Sequence, residues 1–312
     1  MLYTAKSRVN HFDHLRAGKQ ACGKLTLETE LLPLAKQRLR VYFGFSRLPF
    51  SKYAWAAQMY DSASQRELLH GLLMWLEVGG IAMANGPTGV GKSITIRRFV
   101  QSLDEARFQV FHFTYLPGTV IGFLRSLNRQ LGLPMRQHAA DLFDQAQTRL
   151  VSFQQERGPH PILLLDDAEG LRIPVLDALR RLTAYELDGE DRFSILLTGT
   201  EELVDQLQAP QLAPLRSRIV YAHSLRPFGL EDTRNYIRFH LQKAGVGSQL
   251  FSDEAVKRIF QISQGRPRSI NQLALQAIIQ AAAAGRDTVD GDFMASVIAA
   301  HPLYTNVQGA TR

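Results

Sequence analysis

The 312-residue chain predicts an α/β fold built on a parallel five-stranded sheet flanked by helices and followed by a small all-helical unit. Three observations carry that prediction. Short apolar runs alternate with helical patterns up to about residue 226. The first of these runs, Ile81–Asn85, leads into Gly86-Pro87-Thr88-Gly89-Val90-Gly91-Lys92-Ser93. After Pro227 only helical patterns remain. Apolar strands separated by helical crossovers form parallel sheets covered on both faces, which is why the strands read as continuous apolar runs.

The elements follow in order. Residues 1–46 form a basic extension with eight Lys or Arg against three acids, and a helix is expected around Glu30–Arg40. Ser62-x-x-Gln65 is a capping box opening a helix whose Leu68, Leu69, Leu72, Leu73 and Leu76 share one face. Gly79-Gly80 ends it. Strands are expected at Ile81–Asn85, Phe108–Phe113, Ile162–Leu165, Phe193–Leu197 and Ile219–Ala222, with helices near 92–103, 118–131, 141–156 and 173–186. Segments 230–244, 252–263, 268–284 and 290–300 read as helices broken at Gly245–Ser248 and Gly285–Thr288. The expected division is an extension (1–46), an α/β nucleotide-binding domain (47–226), a helical domain (227–302) and a tail (303–312).

Composition narrows the setting. A hydrophobic content of 45% with 21% charged residues is ordinary for a folded soluble chain, and no apolar stretch approaches the roughly 20 residues of a membrane helix. The single cysteine, Cys22, excludes an intrachain disulfide framework and fits the reducing cytoplasm. The histidines show no zinc-site spacing with it, and His11 and His14 read as solvated. A net charge of +7 and a pI near 9.6 permit binding to nucleic acid.

The segment Gly86–Ser93 fills every fixed position of G-x-x-x-x-G-K-[ST] between a strand and a helix, the P-loop pattern that cradles a nucleoside triphosphate. Backbone N–H groups of Gly86, Pro87, Thr88, Gly89, Val90 and Gly91, as far as each residue has one, line the loop that faces the phosphates, and the helix N-terminus adds its dipole. Lys92 supplies a point charge, and Ser93 a hydroxyl for Mg²⁺.

About 70 residues on, Ile162–Leu165 delivers Asp166 and Asp167 at its C-terminal end. Such a strand is expected next to the P-loop strand, with Asp166 supporting the metal and Asp167 the attacking water. Ser194–Glu201 is a further apolar strand ending in small polar residues, of which Thr200 is the candidate to hold that water or sense the γ-phosphate. Arg216 and Arg218 stand just before the last strand, where an arginine can reach a neighbouring subunit's γ-phosphate. Arg268 lies in the first turn of a helix, where a cation gains nothing from the helix dipole, and a phosphate would explain its placement.

Together these segments resemble an AAA+ ATPase, and within that group the ExeA-like ATPases related to the transposition regulators TnsC and TniB. The resemblance runs from about Tyr42 to Ala300 and is carried by Tyr42–Phe50, Gly86–Ser93, Leu163–Glu169, Leu197–Leu203, Arg218-Ile219 and Gly265–Asn271. It implies ATP and Mg²⁺ as ligands, Asp166 as the Walker B aspartate and Thr200 at the sensor-1 position. It likewise implies Arg218 as the arginine finger, Arg268 as the sensor-2 arginine and Phe43–Phe50 near the adenine. One departure stands out. The family reads Asp-Glu-Ala-Gln where this chain reads Asp166-Asp167-Ala168-Glu169. An aspartate base one methylene short implies slow hydrolysis, and the two-residue offset of Glu169 argues against its compensating.

Two purposes follow from the resemblance. One is a transposition helper that oligomerises on double-stranded DNA with ATP, as a ring or filament, and engages a transposase or integrase-type protein. For this, Arg125 and Arg129, or Arg180 and Arg181, are the candidate DNA contacts. The other is a secretion or pilus-assembly ATPase, whose secretion-type members append a membrane helix and a peptidoglycan-binding domain, neither of which is read here. If Asp167 is the base, Asp167→Glu accelerates single-turnover hydrolysis.

Overall fold

The computed structural model describes residues 37–51, 59–184 and 192–304. Residues 37–43 are helical, and the rest of the helix expected around Glu30–Arg40 lies outside the described residues, as do Cys22, His11 and His14.

Helix α1 (Ala63–Val78) opens on the expected capping box: the Gln65 N–H donates to the Ser62 hydroxyl, and the Ser62 N–H donates to the Gln65 side chain. It stops at Gly79, whose φ of 82° a residue with a Cβ would adopt only with strain. There follow β1 (Ile81–Asn85), α2 (Lys92–Gln101), β2 (Phe108–Phe113), α3 (Val120–Gln130), α4 (Ala139–Gln155), β3 (His160–Leu165) and α5 (Ile173–Thr183). Then come β4 (Ser194–Gly199), α6 (Glu201–Leu207), α7 (Ala213–Arg216) and β5 (Ile219–Ser224). The strands match expectation to within two residues at each end, but the short helices α6 and α7 carry too few turns to leave a periodic signature.

All neighbouring strands are parallel, in the order β2-β3-β4-β1-β5. One expectation is corrected here. The carboxylate strand β3 does not neighbour the P-loop strand β1, because β4 inserts between them. Apolar runs define strands without ranking them, and the crossover from β1 to the far edge leaves room for β3 and then β4 to fill in behind.

Side chains alternate across this sheet as the pleat requires. Ile81, Met83, Leu163, Leu165, Ile195 and Leu197 enter one core with helices α3, α4 and α5. Ala82, Ala84, Ile162, Leu164 and Leu196 enter the other with Leu68, Leu72 and Trp75 of α1 and Phe99 of α2. The three central strands are therefore buried on both faces, while the edge strands β2 and β5 are partly exposed.

The helical unit comprises α8 (Leu230–Lys243), α9 (Asp253–Ser263), α10 (Pro267–Ala283) and α11 (Gly291–Ala299) around a third core. Phe45 and Phe50 belong to that core. Their segment is tied down by Ser46, whose N–H donates to Ala244 O at 2.8 Å, and by Arg47, whose Nε donates to Lys243 O at 3.0 Å. The Phe43–Phe50 stretch packs into the core of the helical unit, with the Phe50 ring 5.4 Å from His240.

His240 sits among Phe50, Tyr236 and Phe239, and burial, aided by the Arg47 charge, pushes its pKa down to about 4. The folded ring stays neutral while the unfolded one protonates near 6.5, so folding stability falls as the pH drops from 6.5 to about 4 and levels off below. The loss is at most about 3 kcal/mol. Urea unfolding at pH 7 and pH 4.5 should show a His240→Phe variant losing much less stability over this interval than the parent.

Candidate nucleotide-binding site

The glycine-rich loop joins the C-terminal end of β1 to α2, with Gly91 as N-cap at φ 112°. Gly89, at φ 81°, leaves no room for a side chain: a Cβ there would stand 2.9 Å from Arg268 Cβ. Lys92 is only 8% exposed, and its Nζ donates to Gly86 O at 2.6 Å and Pro87 O at 3.2 Å. Burial lowers its pKa, opposed chiefly by Glu169 and then by Asp167, Glu201 and Asp166. A buried ammonium held by two carbonyls of its own loop is poised to exchange them for phosphate oxygens, which carry full charge. Ser93 is exposed beside it in the first turn of α2.

Opposite stand the carboxylates. Asp166 directly follows β3; its N–H donates to Phe113 O at 3.1 Å, and its Oδ1 accepts from the Thr198 hydroxyl and, at 3.2 Å, from the Asp167 N–H. The fully buried Thr198 was not among the residues expected from sequence. It sits one residue before the end of β4, and the insertion of β4 beside β3 is what brings it to Asp166. Asp167 takes the left-handed backbone (φ 52°), and burial together with Asp166 and Glu169 raises its pKa. Glu169 lies on a 3-10 turn, Ala168–Gly170, and its Oε2 is buried with no hydrogen bond among the described residues. Thr200 caps α6, and its hydroxyl is buried and unbonded in the same way.

These groups line one cavity of ≈ 470 Å³ that takes in the loop from Thr88, Lys92 and Ser93, together with Asp167, Glu169, Thr200 and Arg268. Asp166 stands just behind that lining.

The helical unit reaches the cavity through α10. Each fixed residue of Gly265-x-Pro267-Arg268-x-x-Asn271 has a physical task. Gly265, at φ 69°, packs against Phe228, whose carbonyl a Cβ would meet at 1.9 Å. Pro267 starts the helix without an N–H to leave unpaired. The Arg268 N–H donates to Gly89 O at 3.2 Å, tying the P-loop to the helical unit. The Asn271 amide donates at 2.9 Å to the buried Tyr236 hydroxyl of α8.

A second, narrow pocket of ≈ 30 Å³ adjoins the first at Gly91 and Ile94 and is lined by Tyr60, Gln65, Phe228, Tyr236, His240 and Pro267. Its largely apolar, aromatic lining suits a flat heteroaromatic base. None of its aromatic residues was expected from sequence, because Tyr60, Phe228 and the α8 pair Tyr236 and His240 come from separate segments of the chain.

Arg218 does not enter the cavity. It stands before β5, with Nη1 3.3 Å from the Thr183 hydroxyl at the end of α5, and Arg216 donates to Leu207 O. Arg180 and Arg181 are paired with Asp177, whereas Arg125 and Arg129 on α3 are exposed.

The donors fit a nucleoside triphosphate and its cation. Among the described residues no cluster of three or more His, Cys, Asp or Glu could hold a metal. A Mg²⁺ ion here would rely on Ser93, Asp166, water and phosphate oxygens, which is how that cation is ordinarily held at triphosphate sites.

The fold and site are those of a P-loop nucleotide-binding domain followed by a helical unit. The AAA domain family matches residues 76–207. General secretion pathway protein A of Aeromonas hydrophila is 31% identical over 255 residues, which cover 80% of this chain and 46% of that protein. The chain thus spans about half the length of this curated relative. Cdc6p of Pyrobaculum aerophilum superimposes with a TM-score of 0.56 at 19% identity, over 77% of this chain and 68% of its own. Drosophila ORC bound to DNA gives 0.56 at 16% identity, over 100% and 74%.

Two outcomes test the site. Lys92→Ala should weaken binding of a fluorescent ATP analogue at least about 100-fold with the fold retained by circular dichroism. Asn271→Ala, which strands the buried Tyr236 hydroxyl, should cost about 1–3 kcal/mol in chemical unfolding.

Proposed function

We propose that this chain is an ATP-driven assembly switch: a protomer binds ATP between its sheet and helical unit, and a neighbouring copy completes the site and triggers hydrolysis. One observation carries the reading. The cavity gathers the P-loop, Lys92, two carboxylates and Arg268, while Arg218 stands outside its own protomer's cavity. An arginine so placed can act on a neighbour's γ-phosphate, where it neutralises charge developing in the transition state.

In this reading the P-loop amides and the N-terminus of α2 bind the phosphates, and Lys92 trades its loop carbonyls for the β- and γ-phosphate oxygens. Arg268 reports the γ-phosphate to α10, so occupancy of the cavity moves the helical unit. Thr198 fixes Asp166 for the metal. Bound Mg²⁺ would supply charge neutralisation on the triphosphate.

The cellular purpose that the relatives favour is the second one read from sequence. Likeness to General secretion pathway protein A supports a switch acting on a protein partner in secretion or pilus assembly. No helix among the described residues is long and apolar enough to cross a membrane, so coupling to an envelope machine would run through that partner. A transposition role on double-stranded DNA with a transposase or integrase-type partner draws support from the +7 charge, from the exposed Arg125 and Arg129, and from a fold neighbour solved on DNA.

Sedimentation with ATP analogue and Mg²⁺ should show oligomers that Arg218→Ala reduces or leaves inactive, with ATP affinity within about threefold of the parent. A chain that stays monomeric with nucleotide, on and off DNA, would overturn the switch. Polarisation on random duplex DNA separates the purposes: ATP-dependent, steeply salt-sensitive binding favours transposition, and none at low salt favours secretion.

A further inference from the structure

We propose that Glu169, rather than Asp167, is the catalytic base of hydrolysis, and that the Thr200 hydroxyl holds the same attacking water. The proposal deepens the ATPase reading above and rests on it.

The geometry separates the three carboxylates. Asp166 is spoken for by Thr198 and by the Asp167 N–H. Asp167 lies between two cations, Lys92 and Arg268, and carries a side chain one methylene shorter than the glutamate such a site ordinarily uses. Glu169 differs from both. The 3-10 turn folds its carboxylate back over the C-terminal end of β4, where a Cβ on Gly199 would come within 2.6 Å of Oε2. Thr200, the next residue, presents the other buried and unbonded polar atom of the cavity. Among the described residues, these two unsatisfied oxygens belong to side chains that line the same cavity as Lys92. Of the carboxylates around that lysine, Glu169 exerts the largest pull. Buried polar atoms are seldom left without a partner, and a water admitted between this acceptor and this hydroxyl as the site takes up nucleotide would satisfy both.

Such a water lies on the Lys92 side of the cavity, where the γ-phosphate goes. Its oxygen forms the new bond to Pγ as the bond from Pγ to the β-phosphate oxygen breaks. Its proton passes to the Glu169 carboxylate and then to the phosphate released, leaving ADP. The absence of an extended glutamate at position 167 is thus offset by one that the turn redirects from two residues downstream. The slow hydrolysis expected from a shortened Asp167 then does not follow.

The test compares four variants of the full chain under the assembly conditions that support turnover. Glu169→Gln should lower kcat at least about 100-fold, keep ATP-analogue affinity within about threefold and leave unhydrolysed ATP on the isolated protein. Thr200→Val should lower kcat about tenfold. Asp167→Asn and Asp167→Glu should each affect kcat less than Glu169→Gln does. Glu169→Gln should also lose the acidic limb of the kcat–pH profile, which a merely structural side chain would not control. A large loss in Asp167→Asn with Glu169→Gln near the parent rate overturns the assignment, and so does loss of ATP binding in Glu169→Gln. No turnover in the parent protein that nevertheless binds ATP overturns the ATPase reading itself.

Discussion

A backbone hydrogen bond from Arg268 N–H to Gly89 O joins the P-loop to the helical unit across the nucleotide cavity. It sets the phosphate loop directly against the first turn of α10, where phosphate binding and the position of the helical unit meet. The P-loop is a stiff turn, because Gly89 and Gly91 occupy left-handed backbone that packs against neighbours at both ends. The first turn of α10 is equally constrained by Gly265 and Pro267. Two rigid pieces in direct contact transmit displacement rather than absorb it.

Electrostatics explains why this arrangement is ready to bind. Lys92 is buried, which disfavours its charge, and the surrounding Glu169, Asp167, Glu201 and Asp166 offset this only in part. Burial, and then the neighbouring Asp166 and Glu169, raise the pKa of Asp167. A triphosphate adds negative charge to this site, so its cation is a requirement of charge balance. The start of α2 contributes too: the helix begins at the cavity, where its first-turn N–H groups and its dipole favour a phosphate.

The carboxylate row shows how far local sequence reasoning reaches. An apolar strand ending in Asp166-Asp167 brings carboxylates to the cavity, since a strand tip can hold charge at an opening while its apolar body stays buried. Which carboxylate faces the reacting water depends on the turn after the strand, and on β4 lying alongside. The same insertion brings Thr198 to Asp166, a contact with no trace in the spacing of either segment. Likewise Phe45 and Phe50, within the stretch expected near the adenine, join the core of the helical unit, a placement that local spacing does not show.

The amino-acid sequence by itself determined the strands, the long helices, the phosphate loop and the capping box, because each depends on residues within one or two turns of one another. Periodicity, glycine placement and side-chain reach are local properties. Tertiary structure alone decided the order of the strands, the partners of Asp166 and Lys92, the pocket drawn from four separate segments and the turn that aims Glu169 at the end of β4. Those features arise where distant segments compete for the same buried space, and the winner is set by the packing of the whole core.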